Sequence, residues 1–404
     1  MEPTLQPANE PASQPAREAE QTPAAAPRRE RRAPASIDEL LEQVVVRDAS
    51  DLHVTVGSEP VVRVNGRLER LDEFSRLSPE DTQLMLYRIL STEQQKHFET
   101  KRQIDISYSI PGLARFRVNV YFQRESLGAA FRLIPAELKT LEQLGLPPVL
   151  KDFTTKPRGL VLVTGPTGSG KSTTLAAVID EINRTRDDHI MTIEDPIEFL
   201  HRHKSCIVNQ REIGPDATSF ADALRGALRQ DPDVILLGEM RDLETIGTAL
   251  TAAETGHLVF ATLHTQDAPS TVDRLIDVFP AAQQEQIRVQ IAATLQGIVT
   301  QTLLPTADGK GRVAALEILL PDDAVRNLIR QAKVEQIYSV MQTNTSRGMQ
   351  TLEQAMLELA RYGKITTEVA LQRSSRPDQL RSLFQRNGLL PGDDQGAGLR
   401  VAGG

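Results

Sequence analysis

The run Gly165-Pro-Thr-Gly-Ser-Gly-Lys-Ser172 restricts the chain to few folds, because it repeats the pattern Gly-x-x-x-x-Gly-Lys-Ser directly after the apolar stretch Gly159-Leu-Val-Leu-Val-Thr164. Such a loop needs a buried strand before it and a helix N-terminus after it, so an α/β layer built on a parallel sheet is predicted. Glycines let backbone N–H groups wrap phosphate oxygens, and the helix dipole adds to their pull. Lys171 is expected to reach the β- and γ-phosphates, and Ser172 to ligate Mg2+. We read Gly165, Pro166, Thr167, Gly168, Ser169, Gly170, Lys171, Ser172 and the adjoining Thr173 as the nucleotide-binding run, with ATP and Mg2+ as its ligands. From average composition, chance gives this pattern in about 1% of chains of this length. The strand in front of it makes an ordinary Gly-rich turn a poorer reading still.

Around that loop the hydrophobic pattern alternates. Strand signals at Leu160–Thr164, Ile190–Ile193, Val234–Leu237 and Leu258–Leu263 are separated by helical periodicity beginning near Lys171, Phe220, Leu243 and Ser270. Alternating strand and helix implies a parallel sheet covered on both faces. Upstream, period-two stretches at 51–56, 60–66, 115–122 and 129–134, a helix over 79–99 and an amphipathic helix from Ser36 describe a small α+β domain. Ile37, Leu40, Leu41 and Val44 fall on one face of that first helix, with Glu39 at the capping-box position.

The expected organisation is a disordered Pro/Ala-rich tail over 1–34, an N-terminal domain over 35–135 and a linker over 136–157 containing a short helix around Leu141. An ATPase domain over 158–372, mostly helical from about 282, and a flexible tail over 373–404 complete it.

Three further segments carry carboxylates or imidazoles to strand ends. Asp233-Val-Ile-Leu-Leu-Gly-Glu-Met-Arg-Asp242 is an apolar strand closing on acids, and Glu239 stands where P-loop enzymes place the acid that holds the metal through water. Taken alone, acids after an apolar strand are usually solvated turn residues. Thr192-Ile-Glu-Asp-Pro-Ile-Glu198 crowds Glu194, Asp195 and Glu198 at the end of another strand. Crowding of like charge is costly unless a cation offsets it. A metal-bound nucleotide would supply the cation, with Ser172, Glu194, Asp195 and Glu239 as metal-side groups and one carboxylate left to orient and deprotonate water. An acidic helix-capping turn would explain one of the three acids. Gly256-His-Leu-Val-Phe-Ala-Thr-Leu-His264 brackets a strand with His257 and His264, either of which, alone, is more often a structural hydrogen-bonder. Placed at the strand's end, His264 could sense the γ-phosphate.

The formal net charge of −8 argues against polyanions as general partners, so nucleic acid is not expected to bind. A single cysteine, Cys206, can form neither an internal disulfide nor a four-cysteine zinc element, which fits a reducing compartment. The apolar runs fall far short of the roughly 20 residues that cross a bilayer, so membrane contact is expected only through partners.

These segments in this order resemble the secretion ATPase superfamily and, within it, the PilT family of type IV pilus retraction motors. The resemblance runs from about Ser36 to Gln372 and includes Ala324-Val-Arg-Asn-Leu-Ile-Arg-Gln331, similar to the Ala-Ile-Arg-Asn-Leu-Ile-Arg-Glu signature of those motors and departing at Val325 and Gln331. It implies a PAS-like domain joined to a RecA-like P-loop motor domain, followed by C-terminal helices, in a homohexameric ring. Implied roles are Glu198 as general base, Glu239 as Walker B acid, His257 and His264 as nucleotide sensors, and Arg117 and Arg132 reaching the phosphates, with Arg115 as a possible substitute. The implied setting is cytoplasmic, at the inner face of the membrane against a pilus platform protein. An assembly, accessory or secretion motor, and a nucleotide-gated scaffold, are the competing readings.

Overall fold

Two sheets organise the chain, whose computed structural model describes Arg32, residues 36–134 and residues 138–391. The tail expected over 1–34 lies, but for Arg32, outside the described residues.

The first sheet begins after α1 (Ile37–Val46), which Ser36 caps by accepting from the Glu39 N–H. The Glu39 carboxylate itself pairs with Arg32. Strands β1 (Asp51–Val54), β2 (Val61–Val64) and β3 (Arg67–Arg70) follow, then α2 (Pro79–Arg88) and α3 (Thr92–Lys101). Next come β4 (Gln103–Ile110), β5 (Ala114–Gln123) and β6 (Ser126–Ile134). All six strands pair antiparallel in the order β3-β2-β1-β6-β5-β4. One face is apolar: Phe116, Val118 and Val120 of β5 and Phe131 of β6 bury against Leu40, Leu41 and Leu86 of the helices. The other face carries Arg115, Arg117 and Arg132, the last two directly opposite each other across β5 and β6. The expected single helix over 79–99 is two, because Ser91 starts a fresh helix with a complete capping box to Gln94.

The second sheet carries the loop. After α4 (Val149–Thr154) come β7 (Gly159–Thr164), α5 (Lys171–Thr185), β8 (His189–Glu194), β9 (Ile207–Glu212), α6 (Phe220–Ala227), β10 (Val234–Leu237), α7 (Leu243–Thr255) and β11 (Leu258–Leu263). The chain continues through α8 (Ala268–Asp277), α9 (Ala281–Thr294), β12 (Leu295–Pro305), β13 (Arg312–Leu319) and α10 (Asp323–Arg330). It ends in α11 (Ile337–Thr343), α12 (Leu352–Arg361), α13 (Thr367–Arg373) and α14 (Pro377–Arg386). The strand order is β13-β12-β7-β11-β10-β8-β9, parallel throughout except at the β12–β13 pair. Leu160 and Leu162 of β7 pack into one core with α7, α8 and α9, while Val161 and Val163 pack into another with α4 and α5. Helices therefore cover both faces, and the central strands read as unbroken apolar runs.

Three expectations are corrected. The segment after 282 is mostly helical but also holds two strands that were not expected: β12 and β13 extend the sheet, and β12 is buried on both faces, so it shows no period-two pattern. The helix expected around Leu141 is a turn, and the helix of that stretch begins after Pro148. The tail expected over 373–404 contains α14, whose Leu380 and Phe384 are fully buried against α12. Residues 392–404 lie outside the described residues.

Candidate functional site

Parallel register brings four strand ends into one row. Thr164 of β7 lies beside Leu263 of β11, Ala261 beside Leu237 of β10, and Leu237 beside Ile193 of β8. The P-loop, His264, Glu239 and the Glu194–Glu198 turn therefore all leave the same edge of the sheet, the carboxyl edge where open α/β sheets bind ligands.

The loop is built for an anion. Gly165, Gly168 and Gly170 hold φ of +136°, +79° and +89°, which side-chain-bearing residues rarely adopt. Pro166, Thr167, Gly168 and Ser172 are exposed, whereas Ser169 and Lys171 are buried. The Ser169 hydroxyl is buried without a hydrogen-bond partner in the protein, a group that a phosphate oxygen would satisfy. Lys171 Nζ donates to the carbonyls of Gly165 (2.8 Å) and Pro166 (3.1 Å), doubling back over its own loop. Burial holds the ammonium below its ordinary pKa, and the charge of Glu239 acts against that shift, which places the two groups in one field.

Glu239 follows Gly238, where a Cβ would come within 3.2 Å of the Glu194 backbone. Its carboxylate takes Arg241 Nε at 2.7 Å and lies 3.5 Å from His264 Nε2. Asp195 is pushed up by burial and then by the charge of Glu239, with Arg117 acting in the other direction. Glu198 is about half exposed, and its nearest cation is Arg117 at 3.6 Å.

The structure thus brings together Lys171, Glu239, His264, Asp195, Glu198 and Arg117. It separates two others. Glu194 is buried, with oxygens that accept from the Thr192 hydroxyl (2.7 Å), the Gln210 amide (3.2 Å) and the Glu198 N–H (3.2 Å). Desolvation raises its pKa. It organises the acidic turn, and the expectation that it faces a metal is corrected. His257 stands at the start of β11, where Nδ1 bonds the Ala252 carbonyl at 3.0 Å. Five strand steps of ~3.3 Å put the opening of β11 about 17 Å from its end. Within this chain His257 therefore closes α7, at the end of β11 away from the P-loop.

The arginines divide. Arg132 Nε is 3.0 Å from Asp51, and the Arg132 side chain is largely exposed. Arg115 is bound between Ser107 (2.8 Å) and the buried Glu212 (2.7 Å), which also accepts from Ser107 Oγ (2.8 Å) and the Ile197 N–H (3.2 Å). That knot ties the first sheet to the acidic turn of the second. Ser107 and Glu212 were missed in the sequence because the contacts of Glu212 with the first sheet span about a hundred residues and follow no local pattern.

In the segment matching the retraction signature, Val325 and Ile329 are the buried pair, and Leu328 is only partly covered. Arg326 donates to the carbonyls of Ala292 and Leu295 at the end of α9. Among the described residues, no helix is long and apolar enough to cross a membrane.

Comparison with known proteins agrees with this geometry. A family model described as "Type II/IV secretion system protein" matches residues 30–372. The "Type IV pilus retractation ATPase PilT" of Pseudomonas aeruginosa is 51% identical over 342 residues, covering 85% of this chain and 99% of the relative. The "Twitching motility protein" of Neisseria gonorrhoeae is 48% identical, covering 85% and 92%. The crystal structure of a pilus retraction motor, PilT, with bound ADP superposes with a TM-score of 0.81 at 50% identity, covering 86% of this chain and all of that one.

Proposed function

Because the chain belongs to the Type II/IV secretion system protein family, we propose that it is an ATPase motor that retracts type IV pili. The observation that carries the reading is the row of strand ends placing Lys171, Glu239 and His264 around one anion-ready loop. Half-identity to a retraction ATPase over nearly the full length of that relative gives the direction of work.

In this reading the backbone of 165–172 and Lys171 hold the β- and γ-phosphates of ATP. The exposed Ser172 hydroxyl and the Glu239 carboxylate are oxygen ligands of the kind a small divalent cation takes. Mg2+ bound there would neutralise phosphate charge. Glu198 accepts a proton from the attacking water, and its exposed position leaves room for that water beside the loop. His264, anchored on Glu239, contacts the γ-phosphate side of the site. Arg117 and Arg132 stand on the polar face of the first sheet and close onto phosphate when ring neighbours approach, coupling hydrolysis to movement between the sheets. Six copies form the ring. It works at the inner face of the cytoplasmic membrane against a platform protein of the pilus machine.

The test is a strain of the source organism lacking this gene. It should carry surface pili and fail to twitch, with motility restored by the wild-type gene but not by Glu198→Gln. Cells without pili would reassign the motor to assembly, and unchanged motility would overturn the reading.

A further inference from the structure

Strand β12 reaches the phosphate loop from the side opposite the catalytic acids. Its register sets Thr300 against Thr164, the last residue of β7, and their hydroxyls share a hydrogen bond of 2.8 Å. The next residue, Gln301, is almost completely buried, at 2% exposure. Its amide makes two bonds: Nε2 donates to the Ser169 carbonyl at 2.7 Å, and Oε1 accepts from the Thr174 hydroxyl at 2.7 Å. One side chain therefore ties the crest of the loop to the first turn of α5.

The fit is close enough to dictate sequence. A Cβ at Gly165 would come within 2.3 Å of the Gln301 carbonyl oxygen, and one at Gly170 within 2.7 Å of Gln301 Nε2. The glycines at 165 and 170 thus answer to Gln301 as well as to their positive φ. The anchor is itself rigid: β12 is bonded to β7 on one side and β13 on the other, and Leu304, three residues on, is fully buried in the C-terminal helical core.

The Ser169 carbonyl and the Gly170 N–H belong to one planar trans peptide and point in opposite directions. Holding the carbonyl on β12 turns the N–H away from β12, toward the concave side of the loop. We propose that Gln301 is a positioning residue of the ATP site, fixing the 169–170 peptide so that the Gly170 N–H is presented to a nucleotide phosphate. The inference rests on the reading of residues 165–172 as the ATP cradle. It assigns Gln301 no contact with substrate.

The cradle holds phosphate in the ground state and the transition state alike, so its loss should weaken binding more than the chemical step. The experiment uses the full chain with fluorescent ADP as the binding probe, together with steady-state phosphate release and thermal unfolding. Gln301→Met keeps the volume and removes both bonds. Gln301→Asn keeps the amide but shortens its arm by one methylene, so it cannot reach both Ser169 and Thr174.

Each variant is expected to raise the Kd for ADP and the KM for ATP about tenfold, with kcat within about threefold of wild type and a melting temperature within about 3 °C. Should Gln301→Met fail to fold, Gln301→Asn is read in its place. Folded variants with wild-type Kd and KM, or with kcat lost at unchanged KM, overturn the inference. Lys171→Ala is measured alongside: if it too binds ADP like wild type, the ATP-site reading has failed. If it alone loses binding, only the role of Gln301 has failed.

Discussion

Lys171→Ala is expected to lower kcat/KM for ATP at least about 10^3-fold, beyond the loss seen when one charge-stabilising donor leaves an active site, while the purified chain keeps its fold. Lys171 is a buried cation whose ammonium rests on two carbonyls of its own loop, so it is free to move to phosphate without breaking a contact elsewhere. Burial lowers its pKa in the nucleotide-free chain, and a triphosphate would act in the opposite direction, favouring the charged form. Removing it leaves the loop backbone but deletes the cation that answers charge building on the γ-phosphate. Phosphate release across an ATP titration measures the effect, and near-normal turnover would exclude residues 165–172 as the catalytic cradle.

Glu198→Gln should separate binding from chemistry. Loss of a general base typically costs 10^2- to 10^4-fold, so kcat is expected to fall by on the order of 10^3 while ADP affinity stays within about threefold. The alternatives on the same turn are less suited: Glu194 is buried and fully engaged with Thr192, Gln210 and the Glu198 N–H. Asp195 is held above its ordinary pKa by burial and by Glu239. Of the two exposed acids, Glu198 is the one paired with an arginine of the other sheet, at 3.6 Å. Its side chain contributes nothing to the buried core, so the variant should fold. Single-turnover phosphate release with bound nucleotide checks this, and turnover comparable to wild type would move the base to Asp195.

How much of this was legible in the sequence follows from locality. The P-loop, the four strands around it and α1 announce themselves within a dozen residues, through glycine spacing, unbroken apolar runs and helical period. Strand β12 does not: it is covered on both faces, begins directly at the end of α9, and carries Gly297 near its start. Strand β9 sits at the sheet edge, where Asn209, Gln210 and Arg211 break any apolar pattern. The same reason hid Gln301, whose bond to the loop joins residues 132 positions apart. His257 shows the same limit in the other direction. A histidine at each end of one strand reads as a pair, yet the two ends of a strand lie on opposite edges of a sheet. The role of Glu194 was equally invisible, because a run of carboxylates does not say which of them turns inward to bond Thr192 and Gln210.

The account stands on Lys171 and Glu239 addressing one triphosphate, and a crystal structure of this chain with a non-hydrolysable ATP analogue and Mg2+ tests that most directly. The predicted result is Lys171 Nζ released from the Gly165 and Pro166 carbonyls and within about 3 Å of a phosphate oxygen, with Glu239 turned toward the metal. Phosphates seated away from the loop, with Lys171 still bound to its own carbonyls, would contradict it.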